Sequence, residues 1–222
     1  MTLTDDFFSA STTNGSLGEL GWTSAGVGVT GPVQVAGVAN HPGLLQISTT
    51  TTAGNVSILY LGTSPTSARP ISSLSGIPWK AIFIAAQDPS SGDPNAHITI
   101  RMGFADNPGP NPPTNGFYFQ NITGSSAGNW NGVTKVGSNS SNTGGTVALD
   151  TSFHTFEIRN DGSNNITFLI DGVQNGSVIT SSGFIPTAAM QPFFQVVNTE
   201  TGGSFMKLLD IDAFQLAMQV SR

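Results

Sequence analysis

Residues 151–172, TSFHTFEIRNDGSNNITFLIDG, leave this chain few choices of fold. Phe153, Thr155, Glu157 and Arg159 alternate with Ser152, His154, Phe156 and Ile158. A second run, Asn165-Ile166-Thr167-Phe168-Leu169-Ile170, follows after a short connection. Successive side chains of a β-strand point to opposite faces. Asp161-Gly162 and the Ser-Asn-Asn after it tolerate the positive φ that a hairpin turn needs. Asp171-Gly172 supplies the next turn. The pattern predicts two antiparallel strands with Phe156, Ile158, Ile166, Phe168 and Ile170 on one face. That is enough apolar surface to anchor half of a sandwich.

The remaining residues read as further strands and turns. Residues 2–10 form a first strand anchored by Phe7 and Phe8, and residues 11–21 a turn-rich loop. Residues 22–38 carry short strands around Gly31-Pro32, and His41-Pro42-Gly43 makes a turn. Residues 44–49 and 56–61 flank a polar connection and read as a hairpin or meander. Residues 64–78 are a linker with three prolines. Residues 79–86 are nearly continuously apolar, with Ala81, Ile82, Phe83, Ile84 and Ala85, which suits a strand buried on both faces or a central one. In residues 97–104, Ile98, Ile100 and Met102 alternate with His97, Thr99 and Arg101. Residues 106–115, DNPGPNPPTN, cannot join a ladder because proline lacks the N–H donor, so they form a projecting loop. Residues 117–121 are a strand, 129–145 a glycine- and serine-rich excursion, 184–189 a single helical turn, and 192–198 an apolar strand. In the last strand, residues 204–219, Leu209 and Ile211 share one phase while Phe214, Leu216 and Met218 share the other. The slip at Ala213 predicts a β-bulge. No internal repeat of roughly 20–50 residues is visible, which disfavours a propeller or solenoid.

A length of 222 residues suits one all-β sandwich domain over residues 1–222. Hydrophobic residues make up 37%, with 14 Phe, enough for a sizeable core. Charged residues are only 9%, against about a quarter in an ordinary soluble domain, so Ser, Thr, Asn and Gly must carry solubility. The net charge is −6 and the seven Lys and Arg are scattered, which argues against nucleic acid as a partner. There is no cysteine, hence no disulfide and no thiolate metal site. No stretch approaches a membrane span, so no membrane partner is expected. The first residues lack the basic start and apolar run of a secretory signal. The Asn-x-Ser/Thr triplets at Asn14, Asn55, Asn121, Asn139, Asn165 and Asn175 therefore read as products of the polar composition.

Phe153-His154-Thr155-Phe156-Glu157-Ile158, with Ile166-Thr167-Phe168-Leu169-Ile170-Asp171-Gly172, resembles a strand pair of concanavalin A-like jelly rolls. That superfamily holds legume-type lectins, laminarinase-like glycosidases, alginate-lyase-like enzymes and many phage structural proteins. The phage branch resembles the chain further. Its motifs match Asp6-Phe7-Phe8, Gly18-Glu19-Leu20-Gly21-Trp22, His41-Pro42-Gly43 with Leu45-Gln46-Ile47-Ser48-Thr49, and Leu209-Asp210-Ile211-Asp212-Ala213-Phe214, in that order. The resemblance implies a jelly-roll β-sandwich of two antiparallel sheets. First and last strands would be neighbours, with Phe7 or Phe8 near Leu209 and Phe214. It further implies a bacteriophage virion structural protein, a capsid decoration or cement protein with no enzymatic activity and no cofactor. Its partners would be the major capsid protein or other virion proteins, in a homo-oligomer taken to be a trimer. It would reside in the virion after assembly in the host cytoplasm. Loop prominence nominates Asn107, Pro108, Pro110, Pro112 and Pro113, with the termini, as the contact surface.

Two other functions compete with this one. A carbohydrate-binding module of a tail or head fibre would use Trp130, an exposed indole flanked by the amides of Asn129 and Asn131. Trp22 and Trp79 read as core. A polysaccharide lyase or hydrolase is the other. A glycosidase needs two carboxylates across the scissile bond. Glu19, Glu157 and Glu200 are the only glutamates, and none matches the E-x-D-x-x-E spacing of laminarinase-like relatives. Asp210 and Asp212 share one face of a structural strand. Lyase-like relatives place an Arg, a Gln-x-His and a Tyr on the concave sheet. This chain offers His97, Arg101, Tyr118 and Gln120 on two strands, without the lyase tyrosine motif. Those residues otherwise mark the solvent side of a half-buried sheet. His41, His97 and His154 are too dispersed for zinc. Asp88, Asp93 and Asp106 lack the dense spacing of a calcium loop. Gly124-Ser125-Ser126-Ala127-Gly128 has nucleophile-elbow spacing but no helix after it.

Overall fold

The computed structural model describes residues 1–7, 17–62, 71, 74, 76–88, 97–124, 128–202 and 205–219. Its strands in chain order begin with β1 (Thr2–Asp5), β2 (Trp22–Val27), β3 (Val29–Val38), β4 (His41–Thr49), β5 (Val56–Leu61), β6 (Pro78–Gln87) and β7 (Ile98–Ala105). They continue with β8 (Asn115–Ile122), β9 (Asn131–Val136), β10 (Asn139–Asn142), β11 (His154–Asp161), β12 (Ile166–Ile170), β13 (Val173–Gln174), β14 (Gln191–Asn198) and β15 (Leu208–Met218). One sheet runs β13-β12-β11-β6-β15-β4-β3, with β1 also paired to β15. The other runs β10-β9-β8-β7-β14-β5-β2. All pairings of these strands are antiparallel.

The hairpin of residues 151–172 forms as its alternation dictates. Phe156 stands opposite Ile170, and Ile158 opposite Phe168. All four are buried in the core. The turn uses Gly162 at φ 87° and Asn164 at φ 65°. The apolar strand β6 is internal, between β11 and β15. Along β15 the register slips between Ile211 and Ala213, so Asp212 is the extra residue of a bulge. The slip lets Leu209 and Ile211 before it, and Phe214 and Leu216 after it, all enter the same core.

First and last strands are neighbours, with Asp5 opposite Phe214. The buried Asp5 carboxylate accepts the N–H of Phe7 (3.0 Å), the N–H of Leu20 (2.8 Å) and Nε1–H of Trp22 (3.1 Å). These bonds turn Phe7 inward against Trp22, whose ring packs edge-on to Phe214 at 5.3 Å. Phe8 lies outside the described residues. Phe83 of one sheet meets Phe104 and Phe194 of the other at centroid distances of 5.8 and 5.5 Å, and Phe214 meets Phe104 at 6.4 Å. Edge-to-face pairs of this kind add about 0.5–1.5 kcal/mol each beyond area burial.

Four local expectations change. His41-Pro42-Gly43 opens β4, and the turn is Ala39-Asn40, with Asn40 at φ 70°. Strands β4 and β5 lie in different sheets, so their connection crosses the sandwich and closes no hairpin. Residues 129–145 contain the β9–β10 hairpin, whose edge strand Asn-Ser-Ser-Asn needs no apolar face because it is mostly exposed. The helical turn is a 3-10 turn at Ser182–Phe184. Among the described residues no helix is long and apolar enough to cross a membrane.

Candidate functional site

Antiparallel register lines side chains up in rows across a sheet. In the second sheet Gln195 faces Arg101, Arg101 faces Gln120, and Gln120 faces Asn131. The next row runs Tyr60, Phe193, Gly103, Tyr118, Val133 and Asn142. Lys135 and Ser140 form a pair one row further. Intervening residues such as Ile100, Met102, Phe119 and Phe194 fill the core. Period two therefore turns these rows to the outer face. At Gly103 an added Cβ would lie 2.5 Å from the Tyr118 Cα. The glycine lets Tyr118 and Phe193 close across it, at a ring distance of 6.2 Å.

Arg101 is only 6% exposed. Its Nε donates to Oε1 of Gln120 (2.8 Å) and its Nη1 to Oε1 of Gln195 (2.6 Å). Burial lowers the guanidinium pKa, and Tyr118 opposes that shift. Burial also raises the Tyr118 hydroxyl, against the pull of Arg101. Gln195 Nε2 donates to the carbonyl of Gly109, tying the proline-rich loop to the same row. At the loop base, the Asp106 carboxylate accepts the backbone N–H and Nδ2–H of Asn115. A groove of about 300 Å³ results, lined by Arg101, Pro112, Tyr118, Gln120, Asn131 and Lys135 among others. That is the low end of small-ligand sites.

The proposed sugar-stacking indole is not at the surface. Trp130 is 2% exposed, packs on Phe156 at 4.6 Å and belongs to the core. It precedes Asn131, and period two sends one inward when the other points outward. Asn131 does line the groove, and its Oδ1 accepts the N–H of Gly145. Asn129 is exposed and donates to the carbonyl of Gly145. In the proline-rich loop Asn107, Pro110 and Pro112 are exposed, while Pro108 and Pro113 are buried. That loop is tethered over a groove as well as prominent. Arg101, Tyr118 and Gln120 converge, but His97 stands two rows away from Arg101 and does not line the groove. Sequence reading missed Gln195 and Lys135. The signal for Gln195 was a lone polar residue inside the apolar run Pro-Phe-Phe-Gln-Val-Val.

The outer face of the first sheet holds a second polar cluster. Gln46 Nε2 donates to Asp88 (2.9 Å) and to Asp210 (2.8 Å), beside a groove of about 570 Å³. Burial raises the Asp210 carboxyl pKa; the Gln46 hydrogen bond opposes this and the Asp88 charge adds to it. Asp212 is displaced by the bulge to a different partner, Nδ1 of His41 at 2.8 Å. The His41 ring stacks on Phe153 at 4.0 Å. Asp210 and Asp212 thus belong to separate clusters. Asp93 lies outside the described residues, as do Ser125, Ser126 and Ala127 of the elbow-like segment. Trp22 and Trp79 are core residues. Among the described residues no three acidic or imidazole groups gather as a metal site would need.

No protein-family model matches the chain, and no curated protein does. Solved structures do match. A carbohydrate esterase from the Shiga toxin-encoding bacteriophage phi24B aligns with TM-score 0.53 and 18% identity, over 98% of each chain. A glycoside hydrolase family 16 endo-glucanase from Bacteroides ovatus aligns with TM-score 0.59 and 14% identity, over 97% of this chain and 99% of that one. Peanut lectin aligns with TM-score 0.57 and 10% identity, over 100% of each. The fold is therefore the concanavalin-like jelly roll shared by lectins and glucanases. One expectation is overturned. The sequence argued for no enzymatic activity, yet this architecture carries an esterase and an endo-glucanase as well as a lectin. A missing E-x-D-x-x-E excludes nothing, because carboxylates far apart in the sequence can be gathered by strand pairing, as Asp88 and Asp210 are around Gln46.

Proposed function

We propose that this chain is a carbohydrate-binding jelly roll carried on a bacteriophage particle. One observation carries the reading: the outward row Gln195–Arg101–Gln120–Asn131, whose last three residues line a groove on rigid strands. Sugar hydroxyls donate and accept, and amide and guanidinium groups at fixed spacing answer both demands. The phage placement rests on the order of the sequence motifs and on the phage-borne structural neighbour. A glycan array on purified protein tests the reading. Binding to at least one glycan class, weakened about tenfold by Asn131→Ala, supports it.

Capsid decoration is the second reading. The exposed tip residues Asn107, Pro110 and Pro112 and the low surface charge favour it, because many modest neutral contacts can add through multivalency. In that role the protein would sit as a trimer on shell subunits. Protein that raises the melting temperature of empty capsids and leaves every glycan unbound would establish this second reading and remove the first.

A further inference from the structure

We infer that the groove on the second sheet takes an acidic sugar, one whose carboxylate or sulfate is received by Arg101. The inference rests on the carbohydrate reading above and names the class of ligand. A buried charge normally has an opposite charge beside it. Arg101 is almost fully buried, and no carboxylate pairs with it among the described residues. Its two partners are neutral amide oxygens, of Gln120 and Gln195. A guanidinium has five N–H donors in a fixed fork. The glutamines occupy Nε–H and one Nη1–H, which leaves donors of the fork for a ligand. A glutamate at either flanking position would have neutralised the charge; the amides orient it and leave it available. Lys135 adds a second cation to the same groove, whose lining includes no acid among the described residues. Elsewhere Arg159 pairs with Glu157 and Lys207 with Glu200. In a chain of net charge −6, a groove whose described residues offer two cations and no anion is selective for negative ligands.

Titration calorimetry with four oligosaccharide sets tests this: uronate, sialylated, sulfated and neutral, with carboxyl-reduced copies of the first two. At least one acidic set should bind, and comparison of the first three shows whether carboxylate or sulfate is the group received. For a carboxylate ligand, affinity should fall about 10- to 100-fold on carboxyl reduction, the range for a charged hydrogen bond. Arg101→Gln should abolish the preference for the acidic form. Lys135→Gln, on the exposed side of the groove, should flatten the dependence of binding on salt and leaves the buried row intact, so it remains informative if Arg101→Gln fails to fold. Neutral sugars binding as tightly as acidic ones would overturn the inference and keep the carbohydrate reading. Protein that binds no sugar of any charge overturns both.

Discussion

Trp130 separates a core role from a binding role, and its environment makes an unusual forecast. The ring is buried on Phe156, but Nε1 has no acceptor among the described residues. Trp130→Ala should cost about 3–5 kcal/mol, the usual range for a core aromatic. At about 2–4 °C per kcal/mol for a chain of this size, the melting temperature should fall by roughly 6–20 °C. Trp130→Phe behaves differently. It gives up the pyrrole edge, worth roughly 2 kcal/mol of burial. It also removes an unpaired donor whose burial costs about 1–3 kcal/mol. The two nearly cancel, so Trp130→Phe should lie within about 1 kcal/mol of the parent. Differential scanning calorimetry of the three proteins reads this directly. Any glycan affinity should be unchanged in Trp130→Phe, because the ring faces away from the groove. A phenylalanine variant as unstable as the alanine variant would refute the orphan-donor reasoning. A stable phenylalanine variant that has lost glycan binding would refute the core assignment.

Two further outcomes follow from packing and charge. Gly132 in β9 faces Phe168, and an added Cβ would lie 2.1–2.6 Å from three ring atoms, so Gly132→Ala should cost about 1–3 kcal/mol by overpacking. Phe168→Leu in the same chain should recover part of that loss in a denaturant-unfolding double-mutant cycle; strictly additive effects would show that the clash relaxes elsewhere. His154 is held by Asp171 through Nδ1 (2.6 Å) and by Asp150 through Nε2 (3.0 Å). Burial alone would lower its pKa, but the hydrogen bonds and charges of the two aspartates outweigh burial and raise it. A raised folded pKa means that the stabilisation is complete below about pH 6.5 and is lost as pH climbs through the folded value. His154→Asn should therefore destabilise the fold more at pH 5.5 than at pH 9, by no more than about 1 kcal/mol given the exposed aspartates, read as a larger fall in melting temperature at the lower pH. Equal losses at both pH values would show that the imidazolium is not the stabilising form.

What could be read along the chain was whatever alternates locally. The β11–β12 face was legible from Phe156, Ile158, Phe168 and Ile170, and the bulge from the phase change across Ile211 and Phe214. Alternation identifies a strand but not the sheet it joins, which is why β4 and β5 read as partners yet lie in different sheets. It fails again at β9 and β10, where an exposed edge strand has nothing apolar to alternate. The candidate site was legible only in halves. Arg101, Tyr118 and Gln120 could be placed on strand faces, but bringing them beside Gln195 and Lys135 requires the cross-strand register of β14, β7, β8 and β9. The same single step of phase explains the error at Trp130: Asn131 reaches the groove because its neighbour does not.

That division of labour bears on how one fold serves a lectin, an esterase and a glucanase at 10–18% identity. In β7, Ile98, Ile100, Met102 and Phe104 hold the sandwich together, while Arg101 and Gly103 face out between them. The inward set is bound by close packing, where one methylene is felt. The outward set is bound only by what it must recognise. Stability therefore constrains alternate positions and leaves the others free to be rewritten by ligand choice. On such a strand an outward arginine sunk between two amides, at a desolvation cost the fold does not require, is explained by a ligand rather than by stability. Replacing Gln120 with Glu would supply the missing counter-charge from within the protein. The variant should melt higher than the parent and lose affinity for acidic sugars; a higher melting temperature with affinity intact would mean that Arg101 serves the sandwich alone.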